Sequence, residues 1–133
     1  MAPVLLVSTS SDEREMYAEH LGFVGITPVV ASHPDEALAL AVTVHPSVIV
    51  LDAGSPQVDD ATGLIREIRI QDSIKGTAIV VVSTRTSPAD RARALDAGCD
   101  TFLLKPVLPD VLAQEIWRAA DLTAQRGLHA GAA

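Results

Sequence analysis

The sequence predicts an α/β domain with five parallel strands in one open sheet and helices on both faces. Three observations predict it. Short runs of aliphatic residues recur five times along the chain, and segments with helical spacing lie between them. The runs are continuous rather than alternating, as in strands covered on both faces. Right-handed crossovers between such strands place helices on both sides of the sheet.

The elements follow in order. "VLLV" (Val4–Val7) is the first strand, and Tyr17, Leu21 and Val24 mark a helix that starts at Ser10 or Ser11. "PVVA" (Pro28–Ala31) is the second strand. The helix after it carries Ala37, Leu40, Ala41 and Val44 on one stripe, with Pro34 in its first turn. "SVIVL" (Ser47–Leu51) is the third strand, followed by a short helix marked by Leu64, Ile65 and Ile68. "AIVVV" (Ala78–Val82) is the fourth, and "SPADRARALDAG" then opens with Ser-Pro and stops at Gly98. "TFLL" (Thr101–Leu104) is the fifth, and the last helix begins after Pro109 with Leu112, Ile116 and Ala119 inward. One domain is expected over residues 1–126. The segment from Thr123 is small and weakly periodic, so fraying is expected there and a flexible tail over 127–133.

Composition narrows the function. Of 133 residues 48% are apolar, which suits a packed core, but only 3% are aromatic, too few for platforms that stack bases. The net charge is −7 with no basic block, which argues against nucleic acid and against an anionic membrane surface. The single Cys99 excludes an internal disulfide and reads as a small core residue. No apolar run approaches the ~20 residues of a membrane helix, and the N-terminus lacks a signal-peptide pattern. A cytoplasmic location is the expectation.

In open parallel sheets, ligands sit at the carboxyl ends of the strands. The residues that close the runs are Ser8 and Thr9, Ser32, Asp52, Ser83 and Lys105. Alone, Asp52 reads as a cap, Ser83 as a turn residue and Lys105 as a solvated charge. Together, on strands three, four and five, they form a constellation.

With "VIVLDAGSP" and "SPADRARALDAGCDTFLLKP" the chain resembles the receiver domain of two-component response regulators, from Val4 to about Arg126. The resemblance implies a flavodoxin-like sheet of order 2-1-3-4-5. It implies that Asp52 accepts a phosphoryl group from a histidine kinase or a phosphotransfer protein. It makes Lys105 and Ser83 the phosphate-sensing residues, and Ser83 and Phe102 the switch pair. It implies a cis peptide between Lys105 and Pro106. The downstream partner is expected on the face of helix four, strand five and helix five, where Arg91, Arg93, Asp100 and Trp117 are candidates; a homodimer is a further form open to the chain.

One departure stands out. Family members follow strand one with two acids, which hold Mg²⁺ with the acceptor Asp and a backbone carbonyl that here belongs to Gly54. In this chain Ser8 and Thr9 take those places. Mg²⁺ prefers anionic oxygens. If each lost charged contact is worth ~1.5–3 kcal/mol, two losses weaken Mg²⁺ binding by ~10²–10⁴-fold. Mg²⁺ is therefore expected to bind weakly, with Asp52 and Gly54 as residual ligands and no cofactor required. Asp12 and Glu13 are expected in the first turn of helix one, where acids favour the dipole; Ser10 and Glu13 also have capping-box spacing. After Asp52 the chain departs again, with Ser55-Pro56 and then Asp59 and Asp60, which read as caps of helix three or outer charge for a cation.

Three functions are compatible with this pattern. The first is a signalling receiver, not an enzyme, with Asp52 as its acceptor. The second is a pseudo-receiver that binds proteins independently of phosphate, with Asp52 and Lys105 paired. The third is a flavin or nucleotide binder; "STSSDERE" lacks the glycine a phosphate loop needs, which ranks it last.

Overall fold

The computed structural model describes residues 2–53, 61–84 and 87–132, and the side chains of all of these except 61 and 128–132. Strands β1 (Val4–Val7), β2 (Pro28–Ala31), β3 (Val48–Asp52), β4 (Ala78–Ser83) and β5 (Thr101–Leu104) alternate with helices α1 (Ser11–Phe23), α2 (Pro34–Val44), α3 (Ala61–Ile70), α4 (Pro88–Ala97) and α5 (Pro109–Ala132). All pairings are parallel, and the sheet order is β2-β1-β3-β4-β5.

The continuous aliphatic runs split between two cores. Leu5, Val7, Ile49, Leu51, Ile79 and Val81 point to the side packed with Ala37, Ala41, Leu64, Ile65, Ile68 and Ala94 of α2, α3 and α4. Val4, Leu6, Val48, Val50, Val80 and Val82 point to the other side, against Tyr17, Leu21, Leu112, Ile116 and Ala119 of α1 and α5. Successive strand residues face opposite ways, so a strand buried on both faces has no polar position to show.

Helix ends follow local chemistry. Ser10 caps α1, its hydroxyl accepting from the Glu13 N–H at 3.3 Å. Ser87 caps α4, with Pro88 in the first turn and Gly98 closing the helix at φ +121°. The last helix continues to Ala132, past the point at which the sequence predicts fraying. Two residues anchor it beyond Thr123. The Thr123 hydroxyl donates to the Ser47 carbonyl at 2.6 Å and accepts from the Ala78 N–H at 2.9 Å. Arg126 reaches the Gly76 carbonyl and the Asp100 carboxylate.

The amino end of the sheet is locked by charge. Asp100, just before β5, accepts from the Ile79 N–H and Arg69 Nη2, both at 2.9 Å, and from Arg126 Nη2 at 2.5 Å. Arg69 also donates to the Gly98 and Thr77 carbonyls. Burial pushes the Asp100 pKa up, but Arg126 and the Ile79 N–H outweigh it and hold the carboxyl below its ordinary value. Asp100 is thus a largely covered cross-brace between α3, β4 and α5. Cys99 is buried beside it, and desolvation pushes its thiol up to about 11.

Candidate functional site

The carboxyl ends of β1, β3, β4 and β5 lie side by side in the sheet, so the residues closing those strands converge. Asp52 ends β3 in register with Val82, and Ser83 ends β4 in register with Leu104. Asp52, Ser83 and Ser8 are all buried. Lys105 follows β5; its N–H donates to the Ser83 carbonyl at 2.8 Å, and its peptide bond to Pro106 is cis.

The Asp52 carboxylate is held from two directions. Lys105 Nζ lies 2.7 Å from Oδ1, and the Ser8 hydroxyl donates to Oδ2 at 2.8 Å. Ser8 Oγ also accepts the Ser10 N–H at 3.1 Å, so this one hydroxyl serves both the acid and the start of α1. Arg14 Nη1 donates to the Ser8 carbonyl at 2.7 Å and fixes the turn between β1 and α1. The Tyr17 hydroxyl donates to the Val107 carbonyl at 2.9 Å, tying α1 to the segment that carries Lys105 and Pro106.

Glu13 is the residue the sequence reading missed. It does lie in the first turn of α1, as expected, yet both its carboxylate oxygens accept from Lys105 Nζ, at 2.9 and 2.8 Å. The reach is made from within the regular helix, because a glutamate one turn in is long enough. Half of the expected capping box forms, with the Ser10 hydroxyl on the Glu13 N–H. The reciprocal half is made by Ser8 instead, since Ser8 Oγ accepts the Ser10 N–H. The Glu13 carboxylate is thereby free to leave its own helix end.

The electrostatics follow from two acids sharing one ammonium. Contact with the Asp52 carboxylate, followed by burial, lifts the Glu13 pKa above its ordinary value against the pull of Lys105. For Lys105 burial acts downward, but the bonds to Asp52 and then Glu13 outweigh it, and its pKa ends above the ordinary value.

The remaining candidates fall elsewhere. Thr9 is half-buried beside Ser8, and Asp12 is exposed. Ser32 follows β2 at the sheet edge, separated from β3 by β1. Phe102 lies on β5, half-buried against the core of α2, α3 and α4. Arg91 and Arg93 are exposed on α4, Arg93 paired with Asp90. Trp117 is half-exposed on α5. Gly54, Ser55, Pro56, Asp59 and Asp60 lie outside the described residues. Among the described residues, no group of three or more His, Cys, Asp or Glu side chains is gathered for a metal, and no helix is long and apolar enough to cross a membrane.

The sheet order, together with an acid, a hydroxyl and an ammonium at adjacent strand ends, defines a receiver-type α/β domain. Residues 4–117 match the family model of the response regulator receiver domain, and the chain belongs to that family, the receiver part of two-component systems. The transcriptional regulatory protein PrrA of Mycobacterium tuberculosis is 34% identical over 124 residues, 93% of this chain and 51% of the relative. A probable transcriptional regulator, ycf27, of Cyanophora paradoxa is 29% identical over 113 residues, 85% of this chain and 46% of the relative. This chain therefore spans about half the length of the curated relatives it matches. Among solved structures, the Vibrio cholerae chemotaxis response regulator CheY4 superposes with a TM-score of 0.81 at 31% identity, covering 90% of this chain and 98% of that one. A CheY-like receiver from Methanospirillum hungatei gives a TM-score of 0.84 at 21% identity over 95% and 98% of the two chains, a likeness of fold alone.

Proposed function

We propose that this domain receives a phosphoryl group on Asp52 from a histidine kinase or phosphotransfer protein, and that it does so with weak assistance from Mg²⁺. The observation that carries the reading is the position of Asp52: it closes the central strand of a receiver fold and bonds directly to Lys105. In the transfer a carboxylate oxygen of Asp52 forms the new O–P bond. The donor's P–N bond breaks, and its electron pair stays on the imidazole nitrogen, which takes up a proton. Lys105 offsets charge on the acceptor and then on the phosphoryl oxygens. Ser83, buried at the adjacent strand end, is the hydroxyl proposed to report the modification, with Phe102 as its partner in switching.

The donors at this strand end do not fit a divalent ion. Ser8 and Thr9 are neutral, and the carboxylates of Asp52 and Glu13 both bond to Lys105. A Mg²⁺ ion would have to compete with an ammonium for both acids, which adds to the loss of the acidic pair. Output is proposed through α4, β5 and α5, where Leu104, Leu108, Val111 and Trp117 are exposed.

The test is intact mass after incubation with acetyl phosphate or a cognate kinase across a magnesium titration. A gain of one phosphoryl group, absent in Asp52→Asn, is expected only at high magnesium. No gain with any donor would overturn the reading. The closed Asp52–Lys105 pair favours a second reading, a phosphate-independent binding module. A partner pull-down with Asp52→Ala separates the two: full binding by a folded variant supports the module, and lost binding rejects it.

A further inference from the structure

The Lys105 ammonium has three protons, and three carboxylate oxygens receive them: Oε1 of Glu13 at 2.9 Å, Oε2 of Glu13 at 2.8 Å and Oδ1 of Asp52 at 2.7 Å. No donor is left over for a phosphoryl oxygen. The Lys105 side chain is only 14% exposed and Glu13 only 32%, so water screens this contact incompletely. Phosphorylation would also replace the single charge of the Asp52 carboxylate with about −1.5 to −2 on the phosphoryl oxygens, beside the Glu13 carboxylate and against one ammonium.

We propose that Glu13 is a built-in competitor for the phosphoryl group: it ligates Lys105 in the unmodified domain and must be displaced when Asp52 is phosphorylated. The proposal rests on the reading of Asp52 as acceptor and names the residue that opposes it. Its local cause is Ser8. Because the Ser8 hydroxyl caps the Ser10 N–H, Glu13 has no reciprocal capping bond to make and turns into the site. Glu13 thus sets a threshold: the domain stays unmodified until the donor supplies enough free energy to break a bidentate contact.

The test is the affinity for beryllofluoride, a phosphoryl mimic, measured by titration at one fixed, high magnesium concentration for the wild type, Glu13→Gln and Asp12→Asn. Asp12 is exposed in the same helical turn, so its substitution removes an equal formal charge without touching Lys105. Glu13→Gln is expected to tighten binding about tenfold, the scale of one charge-assisted contact. Asp12→Asn is expected to change it less than about twofold, as for a screened surface charge. Equal tightening by both variants would show a general field effect and overturn the proposal. Unchanged or weaker binding by Glu13→Gln would also overturn it, weaker binding by showing that Glu13 recruits the cation. If neither the wild type nor either variant binds the mimic, the acceptor reading of Asp52 itself falls and takes this proposal with it.

Discussion

Placing acids at positions 8 and 9 is the most direct probe of what Ser8 does. In Ser8→Asp/Thr9→Asp the hydroxyl that donates to Asp52 Oδ2 at 2.8 Å is replaced by a carboxylate facing a carboxylate. A hydrogen bond to a charged group is worth ~1.5–3 kcal/mol, and the like-charge contact adds to its loss, so a cost of about 2 kcal/mol is a low figure. Unfolding entropy of ~2.1 cal/mol/K per residue gives about 0.28 kcal/mol/K for a chain of this length, so Tm falls by about 7 °C without divalent ions. Mg²⁺ reverses the sign, because it binds the folded variant and not the unfolded chain. At about one hundred times its Kd it adds ~2.7 kcal/mol, or about 10 °C. At the same concentration the wild type, with a Kd at least ~10²-fold weaker, gains no more than ~0.4 kcal/mol, about 1.5 °C. Thermal melts of both proteins with EDTA and with magnesium measure all four values. A double variant as stable as the wild type in EDTA, or equal magnesium shifts in the two proteins, would refute the reasoning.

Two further variants concern the brace at the other end of the sheet. Asp100→Asn leaves Arg69 and Arg126 without their shared carboxylate and is expected to cost ~3 kcal/mol by urea unfolding. Because the Asp100 carboxyl is held below its ordinary value of 3.8, its contribution is complete above that pH and fades as the pH falls through the lower folded value. Glu13, held above its ordinary value, acts with the opposite sign and favours the folded state as it protonates. Stability measured from pH about 6 to about 2 should therefore fall less steeply at the acid end in Asp100→Asn, and an unchanged slope would exclude Asp100 as its source. Gly98→Ala places a Cβ 2.9 Å from Arg69 Cγ at a backbone φ of +121°. A loss of ~1–3 kcal/mol is expected, less than additive with Asp100→Asn because both act through Arg69. Strict additivity in the double variant would show that the two are independent.

What the sequence made legible, and what it hid, divides by the range of the interaction. Strands β1, β2 and β5 begin and end where their aliphatic runs do, because burial on both faces leaves a purely local mark. Strands β3 and β4 each end one residue later, since Asp52 and Ser83 still pair across the ladder while their side chains meet the site, and β3 starts at Val48 rather than Ser47. Caps at Ser10 and Ser87 were equally local. The bracing role of Asp100 was hidden because its partners are contributed by Arg69 and Arg126, 31 and 26 residues away, and no spacing rule reports such a pair. Glu13 is the instructive case. Its position was readable, but the sequence offered its carboxylate two employments, the capping bond to Ser10 and the ammonium of Lys105, 92 residues distant. The choice turns on a third residue. A hydroxyl at position 8 can donate to Asp52 and accept from Ser10 at once, whereas a carboxylate there could only accept. Ser8 therefore does more than close the turn after β1. It supplies a donor to the buried Asp52 carboxylate, and it releases Glu13 to bond with Lys105. One neutral hydroxyl, which offers a divalent ion no charge, thus also leads to the contact between Glu13 and Lys105.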